Sequence, residues 1–161
     1  MQSIREQLVT LIYRYAEAID KGDFEAIAEL FSSATLSAEG YGVTAEGYDA
    51  TLALFTQSTR RYDDGTPKTK HLMANVIVEG EGAVASSRSS FVVFQAVPGQ
   101  LALQPIITGS YSGAFALQDG NWIFTHWHTA IELMGDLSQH LLIDLGSVSY
   151  THLTLPTIYS V

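Results

Sequence analysis

Apolar positions recur at helical spacing in the first thirty residues. Ile4, Leu8, Leu11, Ile12, Tyr15 and Ile19 form one stripe, and Val9, Tyr13, Ala16 and Asp20 run beside it. Two adjacent stripes predict a helix apolar over more than half its circumference, and so a buried one. Ser3 with Glu6 reads as a capping box that starts it, and Gly22 ends it. Asp23 is placed to cap a second helix from Phe24 to Phe31. A short strand and a loop rich in glycine (Gly40, Gly42) are expected over 34–45, then a third helix over 46–61 around Leu52, Leu54 and Phe55. Asp63-Asp64-Gly65-Thr66-Pro67 breaks the pattern.

From Thr69 the pattern turns strand-like. Strands are expected at 69–79 and 83–97, joined at Glu79-Gly80-Glu81-Gly82, and at 101–117 and 121–134, joined at Gln118-Asp119-Gly120. Helices followed by a meander of long strands imply an α+β fold. Its helices pack on one face of a cone-shaped, curved antiparallel sheet. The mouth of such a cone is a natural small-molecule pocket.

Composition narrows the function. The 161 residues fit a single domain, and 47% apolar against 16% charged residues argues against disorder. The absence of cysteine removes disulfides and thiolate chemistry. Eight basic against seventeen acidic side chains give a net charge of -9, which opposes nucleic-acid binding. No apolar run is long enough to span a membrane and no signal sequence is visible, so a soluble cytoplasmic protein with a small-molecule partner is expected. Residues 145–161 carry no Asp, Glu, Lys or Arg, and Val148–Leu153 resembles a translated sequencing adapter. The expected domain is therefore 1–144, with 145–161 a non-native tail. His152 and Tyr159 receive no role.

Several stretches resemble the SnoaL-like branch of the nuclear transport factor 2-like superfamily. These are Tyr15 to Phe24 with Leu30-Phe31, Thr69 to Asn75, Gly109-Ser110-Tyr111, Asp119 to Trp122 and Gly135 to Ser138. The resemblance implies a cystatin-like fold and a homodimer or homotrimer formed through the sheet. Its nearest chemical parallels are scytalone dehydratase and hexachlorocyclohexane dehydrochlorinase, which use an Asp–His dyad without cofactor or metal. Asp20 and His71 occupy the two motif positions. A carboxylate on one imidazole nitrogen fixes the tautomer and leaves the other nitrogen to act as a base.

The implied activity is cofactor-independent acid–base chemistry on a small apolar substrate: a lyase, dehydratase or dehydrohalogenase. Catalytic roles are expected for Asp20 and His71, and substrate contacts for Tyr15, Tyr111, His126 and Trp127. Plainer readings stand beside these: Asp20 as a cap near Gly22, His71 as a core histidine, Tyr15 and Tyr111 as core aromatics. Trp127 falls where the dehydrochlorinase has a functional Arg, which implies a different, more apolar substrate. Alternation places Trp122, Phe124, His126 and His128 on one strand face and Ile123, Thr125 and Trp127 on the other. His126 and His128 have a metal-ligand spacing that His71 or Asp20 could complete, but the family parallels work without metal and the third ligand is unplaced, so no metal is expected. The alternatives are an isomerase resembling ketosteroid isomerase (with Glu39 as base after a one-residue shift), a polyketide cyclase, or a non-catalytic subunit resembling the small subunit of ring-hydroxylating dioxygenases.

Overall fold

The computed structural model describes residues 1–143. The expected tail at 145–161 lies outside them. Helix α1 (Ile4–Lys21) begins at the capping box: Ser3 Oγ accepts from Glu6 N, and Glu6 accepts from Ser3 N at 2.7 Å. It stops at Gly22, whose φ of 71° is the left-handed conformation of a helix terminus. The Arg61 guanidinium donates to the Gly22 carbonyl at 3.2 Å and lies over the Phe24 ring, tying this end to a distant segment. Helix α2 (Phe24–Leu30) follows, capped by Asp23. Leu8, Ile12, Tyr15 and Ile19 are buried as expected. The second stripe of α1 is not: Tyr13 is 51% exposed, Val9 and Asp20 are half-buried, and only Ala16 is covered. This side of α1 flanks an open groove against β3 (Thr69–Glu81) instead of another layer.

Strands β1 (Thr35–Ala38) and β2 (Gly42–Glu46) form a hairpin where one strand and a loop were expected. Helix α3 (Gly47–Ser58) ends three residues before the predicted 61. The long strands are β3, β4 (Val84–Val97), β5 (Leu101–Gln118) and β6 (Asn121–Met134). The β5–β6 turn has Asp119 and Gly120 at φ 50° and 80°, both positive as a tight Asp-Gly hairpin turn requires.

The six strands make one sheet in the order β2-β1-β6-β5-β4-β3, antiparallel except where β1 runs parallel to β6. Register shifts interrupt the β3–β4, β4–β5 and β5–β6 ladders. Each such bulge bends and twists its strand. The sheet is therefore curved but unclosed, with the helices against its concave face. The core in that concavity is aromatic: Phe31, Phe91, Tyr111, Phe115, Phe124 and Trp127 are all buried.

One bulge corrects the expected faces of β6. Phe115 pairs with Phe124 while the next residue back, Ala114, pairs with His126, so Thr125 is the extra residue. Beyond it the alternation inverts. Trp127 joins Trp122 and Phe124 inside, only 2% exposed, and His126 faces solvent.

Candidate active site

Asp20 sits in the last turn of α1 and His71 three residues into β3. The start of β3 packs along α1, so the two meet. Asp20 Oδ1 lies 2.6 Å from His71 Nδ1. The same carboxylate accepts from the His71 backbone N–H at 2.9 Å to Oδ2 and from the Thr69 hydroxyl at 3.0 Å to Oδ1. A carboxylate only accepts, so Nδ1 is the donor in this contact; in the neutral ring the lone pair is then on Nε2. The backbone bond orients the carboxylate independently of the ring. The imidazole side chain is 3% exposed and the carboxylate 12%.

His71 also forms part of the wall of a cavity of about 210 Å³ inside the cone. Most of that wall is apolar, with Leu36, Phe55, Phe91, Val93, Ile107 and Trp127 among its residues. Asp20 does not line it. The carboxylate sits behind His71, on the groove between α1 and β3 that also carries Arg14, Lys21 and Lys70. One face of the dyad thus meets the mostly apolar cavity and the other meets a groove with cationic side chains.

Tyr15 and Tyr111 both line the cavity, with hydroxyls 3.5 Å apart. Burial pushes the Tyr15 phenol up from its usual range, opposed by hydrogen bonding to Tyr111. Burial raises Tyr111 further, with the charge of an ionised Tyr15 next in effect. Both therefore hold their protons at neutral pH, and with one hydroxyl donating to the other, one O–H is left to donate into the cavity. Tyr111 is sandwiched between Phe91 and Trp127, with ring centroids 4.3 and 4.6 Å away. That stack fixes the ring and hence its hydroxyl.

Of the six sequence-predicted site residues, the structure brings His71, Tyr15, Tyr111 and Trp127 to the cavity and puts Asp20 directly behind it. His126 is a correction. The Thr125 bulge turns it outward, and it does not reach the cavity. His128 is engaged with Ser37, Nδ1 to Oγ 2.7 Å, and among the described residues no group of three metal-ligating side chains forms. Glu39, the carboxylate an isomerase of the ketosteroid type would need, is exposed; its neighbour Ala38 lines the cavity instead. Sequence reasoning missed His140, a buried cavity residue in the segment after β6. That segment has no periodic pattern to show which residue turns inward. Tyr41, also missed, lies in the turn between β1 and β2.

A curved unclosed sheet with N-terminal helices packed on it is the cystatin-like fold of nuclear transport factor 2-like proteins. Within that class the chain belongs to the SnoaL-like domain family, whose pattern matches residues 3–128. A nuclear transport factor 2-like protein with a cystatin-like fold from Novosphingobium aromaticivorans superposes with a TM-score of 0.66 at 25% identity, covering 84% of this chain and 85% of that one. A protein of the same organism provisionally assigned as a scytalone dehydratase gives 0.64 at 20% identity, over 82% and 86%. LinA gives 0.65 at 16% identity, over 94% of both chains. No functionally curated protein matches the chain. No helix among the described residues is long and apolar enough to cross a membrane.

Proposed function

We propose that the protein is a cofactor-independent acid–base enzyme of the lyase type, acting on a small, largely apolar carbonyl compound held in the cone. The observation that carries this reading is the 2.6 Å contact between Asp20 and His71 at the wall of an apolar cavity. Asp20 keeps the proton on Nδ1, so Nε2 is the base. It takes a proton from the carbon beside the carbonyl, and the negative charge moves to the oxygen. A Tyr15 or Tyr111 hydroxyl donates to that oxygen. The electron pair then expels a hydroxyl from the next carbon, which takes the proton back from the His71 imidazolium and departs as water. A placed base of this kind contributes about 10²–10⁴-fold in rate. A double-bond shift would use the same first step and return the proton to another carbon.

The first step can be measured without knowing the natural substrate. In D₂O, the wild type should speed deuterium uptake at the carbons flanking the carbonyl of 2-tetralone, followed by NMR. His71→Ala should abolish that acceleration while the circular dichroism spectrum stays native. Equal uptake rates for wild type and variant would sink the proposal.

A further inference from the structure

Among the described residues, seven buried side-chain polar atoms lack a hydrogen-bond partner, and just two belong to residues lining the cavity: His140 Nδ1 and Trp127 Nε1. The indole N–H lies near enough to Tyr15 to favour its ionised form, though outside hydrogen-bonding geometry. His140 has no such neighbour. It is 7% exposed. A buried polar atom left unpaired costs about 1–3 kcal/mol, and the ring that carries it lines the cavity, so a small rotation would bring the imidazole to a partner the protein itself does not supply.

The imidazole is held for that partner. Tyr62 donates to the Gln139 carbonyl at 2.6 Å, and the Gln95 amide does so at 3.0 Å. Arg60 N donates to the His140 carbonyl at 2.8 Å, and Leu142 N to the Ser58 carbonyl at 3.0 Å. Four bonds thus pin the exit segment to the end of α3, to the residues that follow it and to β4. The His140 ring stands 6.5 Å from the His71 ring, centroid to centroid.

We propose that His140 is a second substrate-contacting residue, hydrogen-bonding through its imidazole to a hydroxyl or carbonyl oxygen on a one- or two-ring compound whose acidic carbon faces His71. The size fits: a cavity of about 150 Å³ holds benzene, and this one is about 210 Å³. The chemistry fits as well. Burial and the nearby His71 hold His140 down at about 4, so it stays neutral when His71 takes up a proton. It therefore binds and orients an oxygen and does not deliver a proton. The ligand class is a carbonyl compound with a second oxygen, one for the tyrosines and one for His140. The inference rests on the proposed base only for the direction in which the molecule lies.

Titration calorimetry with 2-tetralone and 6-hydroxy-2-tetralone tests it, because the probes differ by one distal hydroxyl. The wild type should bind the hydroxylated probe about tenfold more tightly, the worth of one hydrogen bond. His140→Phe should erase that preference while 2-tetralone affinity stays within about threefold. His140→Asn should keep part of the preference, and it carries the comparison if the Phe variant does not fold. ¹⁵N spectra of the wild type should show the His140 ring nitrogens shifting only with the hydroxylated probe. An undiminished preference in both variants, equal losses for both probes, no preference in the wild type, or no binding of either probe would each overturn the inference. Binding does not depend on turnover. If His71→Ala leaves deuterium uptake unchanged yet the probe preference stands, the proposed catalysis fails and the His140 contact survives.

Discussion

Asp20 binds three donors at once, and this separates its structural from its chemical part. It accepts from the His71 backbone N–H, the Thr69 hydroxyl and the His71 ring. Asp20→Ala leaves all three without an acceptor in a largely buried place, so a loss of about 1–3 kcal/mol in urea unfolding is expected. Asp20→Asn keeps a carbonyl oxygen for the backbone N–H, so the loss should stay under about 1 kcal/mol. An amide N–H₂ facing His71 Nδ1 would favour the other tautomer, however, with the proton on Nε2 where the base is needed. Deuterium uptake into 2-tetralone should then fall about 10²–10⁴-fold. If Asp20→Asn instead keeps full exchange activity, Asp20 only organises the start of β3.

At the scale of elements, the end of α1 is the most sensitive joint. A Cβ on Gly22 would sit 2.0 Å from the Gly65 carbonyl oxygen, and φ is 71°. The left-handed conformation costs a non-glycine residue about 1–2 kcal/mol before any clash. Gly22→Ala should therefore lose more than about 2 kcal/mol in urea unfolding, and part of the exchange activity too, because Asp20 is two residues upstream. A variant as stable as the wild type would mean the Gly65 turn moves aside freely. These joints were legible in the sequence because they are local: the Ser3 box, Gly22, the Asp23 cap and the Asp119-Gly120 turn each declare a backbone need within a few residues. The meeting of Asp20 with His71, 51 positions apart, came from resemblance, not from periodicity. What the sequence hid was non-local. The Thr125 bulge swaps the inward positions of His126 and Trp127, and strict alternation cannot see one unpaired residue. Tyr13 is exposed because, among the described residues, no layer covers that side of α1. His140 turns inward because Tyr62, Gln95 and Arg60 hold its backbone.

For the whole molecule, these placements make stability depend on pH in two windows. Ser3 holds the Glu6 carboxyl below its usual range, Lys68 holds Asp64 at about 2, and Ser138 holds Asp136 down. These exposed groups stabilise the fold above their unfolded values, near pH 4, and their contribution fades as pH falls through the folded ones. His140 acts earlier. Its folded value of about 4 lies below the 6.5 of an ordinary histidine, so between these the unfolded chain binds more protons and stability drops as pH falls. Across that window the loss is about 3 kcal/mol, at ~1.4 kcal/mol per pH unit. The net charge of -9 complicates a single curve, because acid also relieves self-repulsion. Comparing wild type with His140→Phe at equal salt cancels that background, since both carry the same surface. The stability of the wild type relative to the variant should be constant above pH 7, fall by about 3 kcal/mol down to pH 4, and level off below. A difference that stays flat from pH 7 to 4 would mean that His140 is protonated in place, with its ring open to water, and the burial of that imidazole would have to be given up.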